Sequence, residues 1–247
     1  MEPCILFSFA HPDDESFSGA GTAMKYGTAG VRTVLVTATR GERGKAGNPA
    51  VCAPDQLAAC REAELREAVR IVGFSELHLL DYRDRELADA PPDAIRRSLV
   101  SLIRRSRPSV VASFDPNGFN LHPDHIAISR FTADAVAAAA DPRWYPASGD
   151  PHSVLRLVWT PPIAAWEVGH TARLSEHPGA DFVLDVSAWR DRKVAALRAH
   201  RSQHLSIDRL FFNQPDQARI YDVEVWRQAW GPATRNRPCA DLMEGLR

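Results

Sequence analysis

Six short apolar or β-branched runs recur at wide spacing along the chain, at residues 4–10, 31–37, 76–80, 109–114, 154–159 and 181–186. Runs of this length without polar alternation suit strands buried on both faces, the condition of a parallel sheet. Helical patterns lie between them. Residues 92–106 place Ile95, Leu99, Leu102 and Ile103 on one stripe and stop before Pro108. Residues 55–72 set Leu57, Cys60, Ala63, Glu64, Ala68, Ile71 and Val72 at helical spacing, with Asp55 as the N-cap. Further helices are predicted over 16–29, 123–140 and 187–203, the last carrying Trp189, Val194, Leu197 and His200. This alternation predicts an α/β fold: a mainly parallel sheet covered by helices on both faces. Loops are expected at 39–53 and 141–153, where Gly, Pro and Asn gather. In the last 40 or so residues no periodicity stands out; Phe211, Phe212, Trp226 and Trp230 are expected to cover the core or an oligomer contact.

The chemistry sits at the ends of two of those runs. Ala10-His11-Pro12-Asp13-Asp14-Glu15 follows the first, and His122-Pro123-Asp124-His125 comes shortly after the fourth. In open α/β sheets the carboxyl ends of the strands are where ligands bind. His11 and Asp14 are three apart across a strand-to-helix turn, so both side chains can reach one point, and His125 can add a third donor. Two imidazoles, one carboxylate and an open position match a catalytic zinc site, though the same set also suits iron(II). Asp13, beside a ligand but not needed as one, is the expected base. His122 is placed to stabilise an oxyanion and protonate a leaving amine, with Asp124 holding its tautomer.

Composition narrows the partners. With 30 basic and 31 acidic residues the formal net charge is −1, which points to neither nucleic acid nor an anionic membrane. Hydrophobic residues make up 45% of the chain, yet no run approaches the roughly 20 apolar residues a membrane span needs. Cys4, Cys52, Cys60 and Cys239 form no Cys-x-x-Cys pair, so a zinc ribbon is not expected and free thiols are. A cytoplasmic protein acting on a small molecule is the resulting expectation. A nucleotide-binding Rossmann protein is a competing reading, from Gly19-x-Gly21, but position 24 is Met where a third glycine belongs.

The two clusters together resemble the LmbE-like, or PIG-L, family of zinc-dependent N-deacetylases. The likeness extends to Thr39-Arg40-Gly41-Glu42, Arg61-x-x-Glu64, Leu80-Asp81-Tyr82-Arg83-Asp84, Asp115-Pro116-Asn117-Gly118 and the late residues Lys193, His200, Ser202 and Gln203. The resemblance implies one Rossmann-like three-layer α/β/α domain over residues 1–247, removing acetyl from an N-acetylglucosamine-type amino sugar. By motif position it implies metal on His11, Asp14 and His125, the base at Asp13, and His122 with Asp124 as the acid pair. It also implies Arg61 and Asp84 as contacts to sugar hydroxyls; Arg40 and Asn120 complete the expected substrate set. Asn120 is a departure, since the mycothiol-pathway enzyme carries tyrosine there. His200, on a core-facing helix, reads as a structural hydrogen-bonder. An amidase acting on a larger thiol conjugate or acylated antibiotic is the alternative, its pocket set by residues 39–53 and 141–180 with Trp144, Trp159 and Trp166. A homo-oligomer is compatible with the sequence.

Overall fold

The computed structural model describes residues 2–161, 179–215 and 217–246. Strands β1 (Cys4–Phe9), β2 (Arg32–Thr39), β3 (Glu76–Tyr82), β4 (Val110–Ser113), β5 (Arg156–Trp159), β6 (Phe182–Asp185) and β7 (Val223–Trp230) form one sheet, in the order β3-β2-β1-β4-β5-β7-β6. β1 to β5 pair in parallel, while β7 runs antiparallel between β5 and β6. All six apolar runs are strands. The seventh, β7, had no legible pattern because it mixes the buried acid Glu224 with the wholly buried Trp226.

The helices include α1 (Asp14–Ser18), α2 (Ala20–Thr28), α3 (Leu57–Val72), α4 (Pro92–Ser106), the short distorted α5 (Gly118–Leu121), α6 (Pro123–Ala140) and α7 (Arg190–Ala199), followed by the short helices His204–Ile207 and Gln217–Asp222. α4 packs against α6, and α3 against α7 and α2. Three details differ from expectation. Asp55 lies in a 3-10 turn, Pro54–Gln56, and Gln56 occupies the cap position of α3 without a side-chain bond. The buried face of α3 carries Arg61 and Glu64 while Ala63 is exposed, because those two charged groups have partners inside. The segment 187–203 is broken: α7 stops at Ala199, and His200 turns into the core at its C-cap. Among the described residues no helix is long and apolar enough to cross a membrane.

All six residues of β1 are buried, as its central position demands. From β1 the chain winds outward through β2 to β3, then returns to lay β4 on the other side of β1. That reversal opens a crevice beyond the carboxyl ends of β1 and β4, the switch point where α/β sheets bind ligands. His11 leaves β1 there, and His122 and His125 follow β4.

The late part of the chain braces this arrangement through buried acids. Glu224 on β7 accepts from Lys193 Nζ at 2.6 Å, from the backbone N–H of Gly21 and Thr22 at 2.8 and 2.7 Å, and from Thr22 Oγ1 at 2.7 Å. Ser202 donates its N–H and hydroxyl to Glu64 at 2.8 and 2.6 Å. Removing one partner of a buried ion pair strands the other charge and costs about 3–5 kcal/mol. Glu224→Ala is therefore expected to lower unfolding free energy by about that amount in guanidinium titrations; a loss below about 1 kcal/mol would show that Lys193 reaches water without it.

Candidate metal centre and active-site cleft

The turn from β1 into α1 is strained. Asp13 has φ 103°, a left-handed backbone that costs a non-glycine residue about 1–3 kcal/mol and persists only when its surroundings impose it. The restraints are visible. Arg61 donates to the carbonyls of Pro12 and Gly41 and to Asp13 Oδ2 at 3.3 Å. Gly41 is required for that approach, since a Cβ there would stand 2.0 Å from the guanidinium. The Asp13 N–H donates to Glu15 Oε2 at 3.0 Å, and Glu15 Oε1 lies 2.8 Å from His200 Nε2, both side chains being fully buried.

Asp14 is aimed by the backbone: Oδ2 accepts from the N–H of Ala10 and His11 at 3.2 and 2.8 Å. On the other strand, Gly118 turns back with φ 66°, where a Cβ would lie 2.7 Å from the Ile126 nitrogen. Its carbonyl faces His125 Nδ1 at 3.2 Å, which makes Nδ1 the protonated nitrogen and leaves Nε2 as the lone-pair donor. The Phe114 ring stacks on His125 with centroids 4.0 Å apart. His11 is fixed in the opposite sense. Its Nε2 lies 3.1 Å from Asp124 Oδ2 and 3.2 Å from Asp84 Oδ1, so Nε2 carries hydrogen and Nδ1 points at the centre.

Three donors thus converge. His11 Nδ1 and His125 Nε2 are 3.2 Å apart, Asp14 Oδ1 is 3.3 Å from His125 Nε2, and Asp14 Oδ2 is 3.6 Å from His11 Nδ1. A tetrahedral ion with bonds near 2.0–2.1 Å spaces its ligands by about 3.3 Å, so the set fits a metal such as zinc. Two other triplets are close enough to share an ion: His11, His122 and His125, and His11, Asp84 and Asp124. The second already has the hydrogen-bonding geometry of groups that orient a ligand from behind. Burial opposes charge on His11, but bonds to Asp124, Asp14 and Asp84 hold its pKa well above the usual range. Burial likewise opposes ionisation of Asp14, yet His125 and His11 keep it well below. A cation at this point replaces the Nδ1 proton of His11, so its uptake weakens as pH falls.

Beside these donors, burial pushes Asp13 up to about 6; Arg61 opposes the rise and the charge of Asp14 adds to it. His122 caps α6, its Nδ1 accepting from the Asp124 N–H at 3.2 Å, so neutral His122 carries its proton on Nε2. Burial and then the charges of His11 and His125 lower its pKa. Asp124 does not orient the His122 ring as expected. It is wholly buried, and its carboxylate is occupied by His11 Nε2 and by the N–H of Arg85 and Leu87 at 2.6 and 3.2 Å. The helix turn carries that side chain inward, and only its backbone reaches His122.

An open cleft of about 390 Å³ runs over this centre. Asp13, Asp14, His11, His122, His125, Arg61, Asp84 and Asn120 all line it. Arg40 is not brought there: it pairs with Glu62 and Asp81 at 2.8 and 2.7 Å. Asn120 Oδ1 accepts from the His122 N–H at 3.1 Å. Asp84 gives one oxygen to His11 and the other to the Arg43 N–H at 2.9 Å, and Arg61 bonds the Asp13 turn. Ser202, Gln203, Leu205, Arg209 and Leu210 also line the cleft. The last three come from a segment whose pattern gave no sign of a site. Trp166 lies outside the described residues.

Residues 6–136, more than half the chain, match the family model PIG-L, GlcNAc-PI de-N-acetylase. The chain belongs to this family. It is 34% identical over 204 residues to a probable N-acetyl-alpha-D-glucosaminyl L-malate deacetylase 2 of Bacillus anthracis, covering 81% of this chain and 80% of that one. It is 32% identical over 237 residues to the 1D-myo-inositol 2-acetamido-2-deoxy-alpha-D-glucopyranoside deacetylase of Rhodococcus jostii, covering 81% of each. Among solved structures, the N,N'-diacetylchitobiose deacetylase of Pyrococcus horikoshii shares the fold, with TM-score 0.71 and 22% identity over 91% of this chain and 83% of that one.

Metal content separates the roles of these residues. Asp14→Ala and His125→Ala, incubated with zinc and desalted, should retain under about a tenth of the metal held by the unaltered protein. Asp84→Asn should bind it but with affinity lowered about 10- to 100-fold, the usual effect of removing a partner that orients a ligand. Full metal retention in His125→Ala would contradict the triplet.

Proposed function

We propose that the protein is a metal-dependent hydrolase that removes the N-acetyl group from an N-acetylglucosamine-type glycoside. The observation that carries this reading is the convergence of His11 Nδ1, Asp14 and His125 Nε2 beside a buried, strained Asp13, in a chain whose relatives are named as deacetylases of such sugars. Zinc is the favoured metal, with iron(II) meeting the same ligand set. When bound, such an ion lowers the pKa of water and polarises an acetamide carbonyl.

The protein groups supply the remaining steps. Asp13, ionised above about pH 6, accepts the proton of the attacking water. Arg61 and the Glu15–His200 pair hold the Asp13 turn in its strained form, so the carboxylate needs no reorganisation. His122 presents Nε2–H to the oxyanion as it develops, and the proton taken by Asp13 is delivered to the leaving amine. A cleft of about 390 Å³ is in the range of small-ligand sites.

Primary amine release from N-acetylglucosaminyl inositol, N-acetylglucosaminyl malate and diacetylchitobiose tests the reading. Release should be abolished by chelator and restored by zinc; no release from any glycoside at full metal occupancy would refute it. Asp13→Asn should keep its metal and lose about 10²- to 10⁴-fold in kcat, the usual worth of a positioned base. Because Asp13 works only when ionised, kcat/KM should fall about tenfold per pH unit below an apparent pKa at or under 6, a bound dication lowering that value further. Unaltered kcat in metal-loaded Asp13→Asn would remove Asp13 from the role.

A further inference from the structure

The mechanism leaves three cations on the wall of the cleft unused. Lys45, Arg85 and Arg209 line it, and all three are exposed. Among the described residues none of the three forms an ion pair or a side-chain hydrogen bond. Other arginines nearby are paired: Arg40 with Glu62 and Asp81, Arg43 with Glu86, Arg61 with Asp13 and Arg198 with Asp208. The acids of the cleft do not neutralise the three either. Asp14 faces His11 and His125, Asp84 faces His11 and the Arg43 N–H, and Asp13 faces Arg61.

The three come from separate segments, and each backbone is pinned. The Lys45 carbonyl accepts from Gln203 Nε2 at 2.7 Å. The Arg85 N–H donates to Asp124 at 2.6 Å, and its φ of 65° is a conformation a non-glycine residue takes only when its surroundings impose it. Arg209 lies on a π-helical turn, Asp208–Phe212, a rare geometry found often at functional sites, with its carbonyl bound by Gln214 Nε2 at 2.7 Å. Three strained or braced backbones thus present unpaired positive charge to one cleft, over a centre that itself takes a cation.

We infer that Lys45, Arg85 and Arg209 form a subsite for an anionic aglycone, a glycosidic substituent bearing carboxylate or phosphate. The inference rests on the deacetylase reading and decides between the charged and uncharged glycosides that reading allows. Contacts between exposed charges are each modest, about 2- to 5-fold in affinity, but three acting on one polyanion give about 10-fold or more at low salt.

Calorimetry on metal-loaded Asp13→Asn protein, which binds substrate without consuming it, is the test. The ligands are N-acetylglucosaminyl malate, N-acetylglucosamine 1-phosphate and the uncharged methyl N-acetylglucosaminide. At 20 mM salt at least one anionic ligand should bind about 10-fold tighter than the methyl glycoside, and the larger gain tells carboxylate from phosphate. That ratio should shrink toward one in 0.5 M salt, and also when Lys45→Gln, Arg85→Gln and Arg209→Gln are added together. Equal affinity for charged and uncharged glycosides at low salt would overturn the subsite while leaving deacetylation intact. Failure of every glycoside to bind, with no amine release by the unaltered protein, would overturn both.

Discussion

The His11 imidazole is the joint on which the site depends. One nitrogen is held by Asp124 and Asp84, and the other faces Asp14 and His125. A ring that donates on one side must present its lone pair on the other, so two carboxylates behind His11 decide what it can do in front. Both arrive from distant parts of the chain: Asp84 after β3 and Asp124 at the start of α6. The ring therefore reports that β1, β3 and β4 are all in register. Burial opposes charge on this ring, but its bonds to Asp124, Asp14 and Asp84 favour the imidazolium.

Backbone strain is concentrated around this joint. Asp13, Arg85, Phe119 and Leu121 all have positive φ, and all lie at or next to the cleft. Such conformations need a rigid surround, and the buried acids supply it. Glu15 ties the Asp13 turn to His200, Glu64 ties α3 to Ser202, and Glu224 ties the start of α2 to Lys193 and β7. The segment 193–203 is thus a clamp: Lys193, His200 and Ser202 close onto acids placed by the first 70 residues or by the last strand. Through Glu15 it braces the Asp13 turn, and none of these bonds reaches His11, Asp14 or His125.

Much of this was legible in the sequence, for physical reasons. Apolar runs reveal strands buried on both faces, and β1, β2 and β4 are nearly pure examples. A His-x-x-Asp across a strand-to-helix turn and a His-x-x-His on the first turn of a helix are local geometries, so the convergent donors could be named in advance. Partners fixed by tertiary contact could not. Asp124 sits two residues from His122 yet serves His11, because the helix turns its side chain inward. Arg61 lines the cleft and also bonds the Asp13 turn, an approach that the absence of a Cβ at Gly41 allows. The strand β7 and the cleft residue Arg209 carry no periodic signal, since one hides a buried acid and the other lies on an irregular turn.

If three atoms from two strand ends hold one metal ion, anomalous diffraction at the zinc edge from crystals of the zinc-loaded protein will show where it sits. A single strong peak is expected within about 2.0–2.3 Å of His11 Nδ1, His125 Nε2 and an Asp14 oxygen. A peak instead at His11 Nε2, shared with Asp84 and Asp124, would contradict it, because the carboxylates taken here as supports would then be the ligands.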